Sequence, residues 1–263
     1  MTPYHAELQC AQRAARQAGE LLRKHFADEE RVVDARLKHD VKLRLDKECQ
    51  QLIFSILKSE FPTYSCIGEE DAAEAPSAQR SEAEWIVDPL DGTVNYYYGL
   101  PLFCVSIALR VRGITQLGCV YAPMTEECFC ALRAEGSATL NGRPIRVSSR
   151  SEMAEAIIFA GHGTHDGSGE AGLRRFAELS SRVRKMRILG TAALSLCYIA
   201  AGRLDAYIED RIYLWDVAAA GLILEMAGGV ADFRPREPHR CDGAIMAWNG
   251  HLPLPEILHS LPR

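Results

Sequence analysis

The chain has no C-x-x-C pair, no long apolar run, no excess of basic charge, no internal repeat and no low-complexity segment, and each absence removes a class of protein. Nine cysteines, an odd number, are scattered along it. Cys104, Cys119 and Cys197 lie within apolar stretches, which fits buried free thiols better than a disulfide framework. The cytoplasm is the expected compartment for such thiols. The longest apolar stretches, such as Leu102–Leu109 and Val217–Ile223, are too short to span a bilayer, so no membrane partner is expected. Met1-Thr2-Pro3-Tyr4-His5 shows no basic segment followed by an apolar one, so no signal peptide is expected. A net charge of −5 argues against a nucleic-acid partner, which would call for a basic face. What remains is an ordinary globular composition, 48% hydrophobic and 25% charged over 263 residues, enough to bury a sizeable core.

The most informative stretch is Asp88-Pro89-Leu90-Asp91-Gly92-Thr93, which sets two carboxylates and a hydroxyl close together. Trp85-Ile86-Val87 before it reads as a short buried strand, with Pro89 and Gly92 favouring a tight turn at the acids. Ile67-Gly68-Glu69-Glu70-Asp71 is a second acidic strand end, and Trp215-Asp216 opens an apolar helix with another acid. Crowded carboxylates repel one another unless a cation neutralises them, and magnesium suits such an all-oxygen set. Taken singly, each acid has a plainer reading: turn chemistry for Asp88 and Asp91, a solvated loop for Glu69 to Asp71, a helix cap for Asp216. Their apolar neighbours, Ile67, Ile86-Val87 and Trp215, favour one shared site over three accidents.

Gly68-Glu69-Glu70, Trp85 to Asn95 and Trp215-Asp216-Val217-Ala218 together resemble the three motifs of the inositol monophosphatase family. Gly190-Thr191-Ala192-Ala193 and Gly202 to Glu209 are similar to its C-terminal half, and the motifs run in the family's order from about Ala6 to about Gly250. Val94-Asn95-Tyr96 resembles the inositol phosphatase branch, whereas the nucleotide branch usually has a lysine after the threonine. The resemblance implies a layered α-β-α-β-α sandwich; periodicity alone gives an α/β or α+β mixture.

Helical periodicity places Leu8, Ala11, Ala15, Ala18, Leu22 and Phe26 on one stripe, and predicts a second helix from about Leu45 to Glu60 with Leu45, Cys49, Leu52, Ile56 and Leu57 buried. Short β-like runs follow (Trp85–Val87, Phe103–Arg110, Thr115–Tyr121, Glu127–Leu132), with an Asn141-Gly142 turn before Ile145-Arg146-Val147. After Ser151, strands and helices alternate, ending in a helix Trp215–Ala227 and a last strand Ala244–Ala247. A boundary near residue 150 separates an N-terminal α+β half, 1–150, with most of the proposed metal ligands, from a C-terminal α/β half, 151–263; the two are expected to pack intimately.

Carried over by motif position, the resemblance implies that Glu69, Asp88 and the carbonyl of Leu90 bind a first Mg²⁺, and that Asp88, Asp91 and Asp216 hold a second. Thr93, assisted by Asp46, would hydrogen-bond the attacking water, and Gly92 and Thr93 would offer backbone N–H groups to phosphate. Gly190, Thr191, Ala192, Glu209 and Asp216 would meet the substrate, with Glu209 accepting hydrogen bonds from its hydroxyls. The run Asp40 to Asp46 lacks the Val-Thr pair common in the family, and Arg44 could pair with Asp46, which bears on a third metal site there. Gly161-His162-Gly163-Thr164-His165-Asp166-Gly167 invites zinc through its histidines, but no cysteine or helical spacing supports it; a flexible rim for the site is the expectation. No Gly-Lys-Ser/Thr follows, so it is not a nucleotide loop.

The function this implies is magnesium-dependent, lithium-sensitive hydrolysis of a phosphorylated polyol or sugar, inositol monophosphate first, by a homodimer. The alternatives on the same scaffold are a 3′(2′),5′-bisphosphate nucleotidase and a fructose-1,6-bisphosphatase. A silent homologue that binds metal or phosphoinositides is the alternative from another class, disfavoured by the complete set Asp88, Asp91, Thr93 and Asp216.

Overall fold

A helix whose buried face is built from small residues can lie close on a sheet, and the first helix, α1 (His5–His25), does so with Cys10, Ala11, Ala14, Ala15 and Ala18. The computed structural model describes residues 2–27, 33–36, 41–71, 81–160, 168–237 and 241–255. After α1, the two-stranded ribbon β1 (Val33–Arg36) and β2 (Val41–Leu43) leads into α2 (Arg44–Glu60). Strands β3 (Ser65–Gly68) and β4 (Ala83–Asp91) are parallel; the short helix α3 (Thr93–Tyr97) follows. An antiparallel meander continues through β5 (Cys104–Val111), β6 (Ile114–Ala122), β7 (Glu127–Leu132), β8 (Ser137–Leu140) and β9 (Arg143–Ile145). Strands β3 to β9 lie in sequence order in one seven-stranded sheet.

The second half adds β10 (Ile157–Ala160), α4 (Ser168–Ser180), β11 (Lys185–Arg187), α5 (Ala192–Ala200), β12 (Ala206–Tyr213), α6 (Leu214–Met226), β13 (Val230–Pro235) and β14 (Asp242–Trp248). Its five-stranded sheet has the order β11-β10-β12-β14-β13. Helices α1 and α2 cover the outer face of the seven-stranded sheet, and α4 packs on β11 and β12 of the other. Helices α5 and α6 lie between the two sheets, so α6 is apolar all round: Val217, Ala219, Leu222, Ile223 and Leu224 are all buried. The result is the α-β-α-β-α sandwich the sequence implied. The sheets fall on either side of residue 150 yet share one core, in which Ile86, Val120 and Phe129 meet Leu196 and Ile223. No helix among the described residues is long and apolar enough to cross a membrane.

Three expectations need correction. Strand β4 does not stop at Val87; it runs through both acids to Asp91, with a register irregularity between Asp88 and Asp91, and the chain turns only after Gly92. A bulge on a central strand, rather than a turn, aims the two carboxylates. On α2 Cys49 and Leu57 are buried as expected and Leu45, Leu52 and Ile56 are half-buried, but the fully buried stripe also takes in Ile53 and the polar Asp46 and Gln50, which bond to the Leu43 and Glu70 amides. Strand β13 was not anticipated; Gly228-Gly229 ends α6 and Val230 starts the strand at once. The Asn141-Gly142 hairpin is present, with positive φ at both positions.

Candidate active site

Four carboxylates from three separate elements converge on one cleft of about 520 Å³. Asp88 and Asp91 come from the end of β4, Glu69 from the short turn after β3, and Asp216 from the first turn of α6. Leu90, Gly92, Thr93, Gly190, Thr191, Ala192 and Glu209 share the lining. Two walls thus come from opposite halves of the chain, and the cleft exists only because β4, α5, β12 and α6 meet at one end of the sandwich.

Asp88, Asp91 and Asp216 are each anchored by backbone N–H groups. The Leu90 amide donates to Asp88 Oδ1 at 2.9 Å, and the Tyr213 amide donates to Asp216 Oδ2 at 2.9 Å. Asp216 therefore does cap α6, as its plainer reading held, while also facing the cleft. Asp91 lies at the start of α5, where Thr191 Oγ1 and the Ala193 amide donate to its Oδ2 at 2.5 and 2.7 Å and the Ala192 amide reaches Oδ1 at 3.3 Å. The positive end of the helix thereby stabilises a buried negative charge. Thr93 Oγ1 donates to the Leu90 carbonyl at 3.0 Å.

Burial, then the charges of Glu69, Asp91 and Asp216, pushes the Asp88 carboxyl well above the usual range. Burial raises Asp91 to about 6, against the lowering pull of Thr191, Ala193 and Ala192. Asp216 is raised by burial and then by Glu69 and Asp91. Glu209 is raised to about 7 by burial, with the Tyr207 hydroxyl pulling the other way. Anions this close and this buried have their charge opposed by too little; a hard cation ligated by oxygen would restore the balance. Glu69, Asp88, Asp91, Asp216 and the Leu90 carbonyl form an all-oxygen donor set, which fits magnesium and does not fit a soft metal.

Several expected residues serve more local purposes in this structure. Thr191 and Ala192 line the cleft, but their hydroxyl and amide point at Asp91. Gly190 has φ +72°, and a Cβ there would meet the Asn95 side chain at 3.0 Å; the close approach is made by Asn95, which donates to the carbonyls of Leu102 and Leu189 at 2.8 and 2.7 Å. Asp46 does not line the cleft; its Oδ2 accepts from the Leu43 amide at 3.0 Å at the start of α2. Asp40 and the Gly161–Gly167 loop lie outside the described residues.

Sequence reasoning missed three supports. Gln50 donates to Asp71 Oδ2 at 2.9 Å and accepts from the Glu70 amide at 3.1 Å, which fixes the turn carrying Glu69; its amide packs where a Cβ on Gly68 would stand. The Tyr207 hydroxyl donates to Glu209 Oε2 and holds that carboxylate on the bulged strand β12. Asn95 ties α3 to the loop before α5. Strand alternation gives the one available signal, since Tyr207 and Glu209 share a face of β12.

A family model and named relatives place this sandwich, with its cluster of carboxylates, among the phosphoric monoester hydrolases. The chain belongs to the inositol monophosphatase family, whose sequence model matches residues 5–259. It is 41% identical over 221 residues to inositol monophosphatase 1 of Solanum lycopersicum, covering 82% of this chain and 80% of that protein. It is 37% identical over 246 residues to a protein named Nus factor SuhB of Vibrio cholerae, with coverage of 92% and 91%. Among solved structures, an inositol monophosphatase from Anabaena superposes with a TM-score of 0.82 at 31% identity, covering 100% of this chain and 98% of that one.

Proposed function

We propose that this protein hydrolyses a small phosphate monoester, inositol monophosphate or a similar phosphorylated polyol, in a magnesium-dependent reaction. The observation that carries the reading is the convergence of Glu69, Asp88, Asp91 and Asp216 with the Leu90 carbonyl in one cleft, backed by the membership of the family. Bound magnesium would supply positive charge for the phosphate and lower the pKa of a water molecule. The residues of the chain do the rest. Glu69, Asp88 and the Leu90 carbonyl would hold one ion, and Asp88, Asp91 and Asp216 would hold a second. Thr93 Oγ1 is 3.0 Å from the Leu90 carbonyl, within reach of a nucleophilic water positioned beside it. Gly92 and Thr93, at the start of α3 and in the lining of the cleft, would offer backbone N–H groups to the phosphate oxygens. Glu209, from the opposite wall, accepts hydrogen bonds from substrate hydroxyls, and as an anion it disfavours a second phosphate nearby.

That last feature favours the monophosphate over 3′(2′),5′-bisphosphates and fructose bisphosphate. A cytoplasmic location agrees with nine free thiols. A homodimer is the expected assembly, which light scattering would check. The experiment is phosphate release measured across inositol monophosphate, sugar phosphates and adenosine 3′,5′-bisphosphate, with magnesium and with added lithium. Preference for inositol monophosphate and decline in lithium support the reading; preference for the bisphosphate nucleotide overturns it. Absence of release from every ester would favour a silent binding homologue.

A further inference from the structure

Cys119 on β6 and Cys130 on β7 are cross-strand partners, and Cys128 lies two residues along β7 on the same face. All three are buried, on the side of the seven-stranded sheet covered by α1, and none lines the acidic cleft. Their sulfur atoms lie within 4.8 Å of one another, with Cys128 Sγ and Cys130 Sγ 3.6 Å apart. Three sulfurs bound at about 2.3 Å to one ion that sits above their plane stand about 3.5 Å apart, so the Cys128–Cys130 pair already has the spacing and the third sulfur needs to close by little more than about an ångström. Gln12 Nε2 from α1 donates to Cys130 Sγ at 3.1 Å, an arrangement that also supports a thiolate. Among the described residues no histidine, carboxylate or fourth cysteine joins the set.

Two properties then choose the occupant. A dry site with three sulfurs and no fourth donor does not suit tetrahedral zinc, which requires four ligands. Three thiolates in a buried core leave a costly net charge around a monovalent or divalent ion and none around a trivalent one. We propose that Cys119, Cys128 and Cys130 form a closed three-thiolate site for one trivalent thiophilic ion, taken up from water as arsenous acid. The exchange balances without oxidation or reduction. Three As–OH bonds break and three As–S bonds form; each thiol proton leaves with a hydroxide as water, so one arsenous acid and three thiols give one neutral complex and three waters. Hydrogen bonding to Cys119 and Cys130 pulls the Cys128 thiol down to about 4, whereas the Cys119 and Cys130 thiols are themselves pushed up, so Cys128 is the first of the three to lose its proton and the other two give theirs up only as the bonds to the ion form.

The test uses the full-length reduced protein, incubated with arsenous acid directly and also refolded in its presence, then desalted and assayed for arsenic per chain and for melting temperature. One arsenic per chain and a raised melting temperature are expected. Cys119→Ala and Cys130→Ala, each checked for a native near-ultraviolet spectrum, should bind more than about 100-fold more weakly, beyond the 10–100-fold typical of losing only a supporting group. A Cys66→Ser, Cys241→Ser double variant, which removes the two half-buried thiols elsewhere, should retain the ion. Three results would overturn the site: no arsenic retained by either route, undiminished binding by both alanine variants, or zinc held as tightly as arsenic under the same conditions.

Discussion

Thr191→Val tests the way Asp91 is held. The hydroxyl of Thr191, only 4% exposed, donates to Asp91 Oδ2 at 2.5 Å and also accepts from the Leu194 amide at 3.4 Å, so it serves both the carboxylate and the start of α5. A hydrogen bond to a charged group contributes about 1.5–3 kcal/mol, and loss of an N-cap costs about 0.5–2 kcal/mol. Because one side chain supplies both, the expected loss is about 2–4 kcal/mol rather than the full total. Urea unfolding of the metal-free protein reads this directly, and the thermal midpoint should fall by at least about 4 °C for a chain of this size. Asp91 keeps the Ala192 and Ala193 amides but loses its shortest donor, so its carboxyl should rise above about 6. Half-maximal activation should then need more magnesium, tenfold for each ~1.4 kcal/mol of ligand stabilisation lost. Thr191→Ser keeps the hydroxyl and should stay close to the parent in both assays. If Thr191→Val and Thr191→Ser behaved alike, the hydroxyl would not be what holds Asp91.

Asp216→Asn keeps an oxygen for the Tyr213 amide but removes one of the crowded charges; the metal-free variant should be more stable than the parent at neutral pH and its turnover lower by orders of magnitude, checked by melting and phosphate release. The pH dependence has a definite sign: Asp91 is raised from 3.8 to about 6 and Glu209 from 4.5 to about 7, so their contribution to folding is full at acid pH and is lost as pH rises through those values. Metal-free protein should therefore lose stability from these groups between about pH 4 and 7, and Glu209→Gln should flatten the upper part of that profile. On substrate, Glu209→Gln should weaken the polyol ester by about 1–3 kcal/mol in kcat/KM and leave an aryl phosphate nearly unchanged; equal losses on both would make Glu209 structural. Gln50→Ala, by freeing the turn that carries Glu69, should raise the magnesium requirement with little change in KM for the ester, measured by metal titration.

The acids were legible because their surroundings are unusual: Asp88 follows Val87, Asp216 follows Trp215 and Glu69 stands two residues after Ile67, apolar company that solvated turns and loops seldom keep. The layering was legible through the resemblance and through α6, whose central run Val217 to Leu224 is apolar throughout and demands cover on every side. What escaped was whatever depends on contacts distant in sequence. Gln50 and Glu70 are twenty residues apart, and Thr191 and Asp91 a hundred, so neither pairing leaves a periodic trace. The β4 bulge escaped for a related reason: Pro89 and Gly92 fit a turn as well as a bulge, and it is pairing with β5 that keeps Asp88 to Asp91 in the sheet. Gly190 lines the cleft, but the reason it has no side chain is Asn95, ninety-five positions earlier in the chain, which stands 3.0 Å from where a Cβ would be.

The central claim is that the acidic cleft works through bound magnesium, and the most direct measurement is phosphate release from inositol monophosphate by protein dialysed against chelator. The account predicts no release without metal, recovery on adding magnesium, and no recovery with calcium, whose larger and looser oxygen shell misplaces the water. Full activity in the presence of chelator would contradict it.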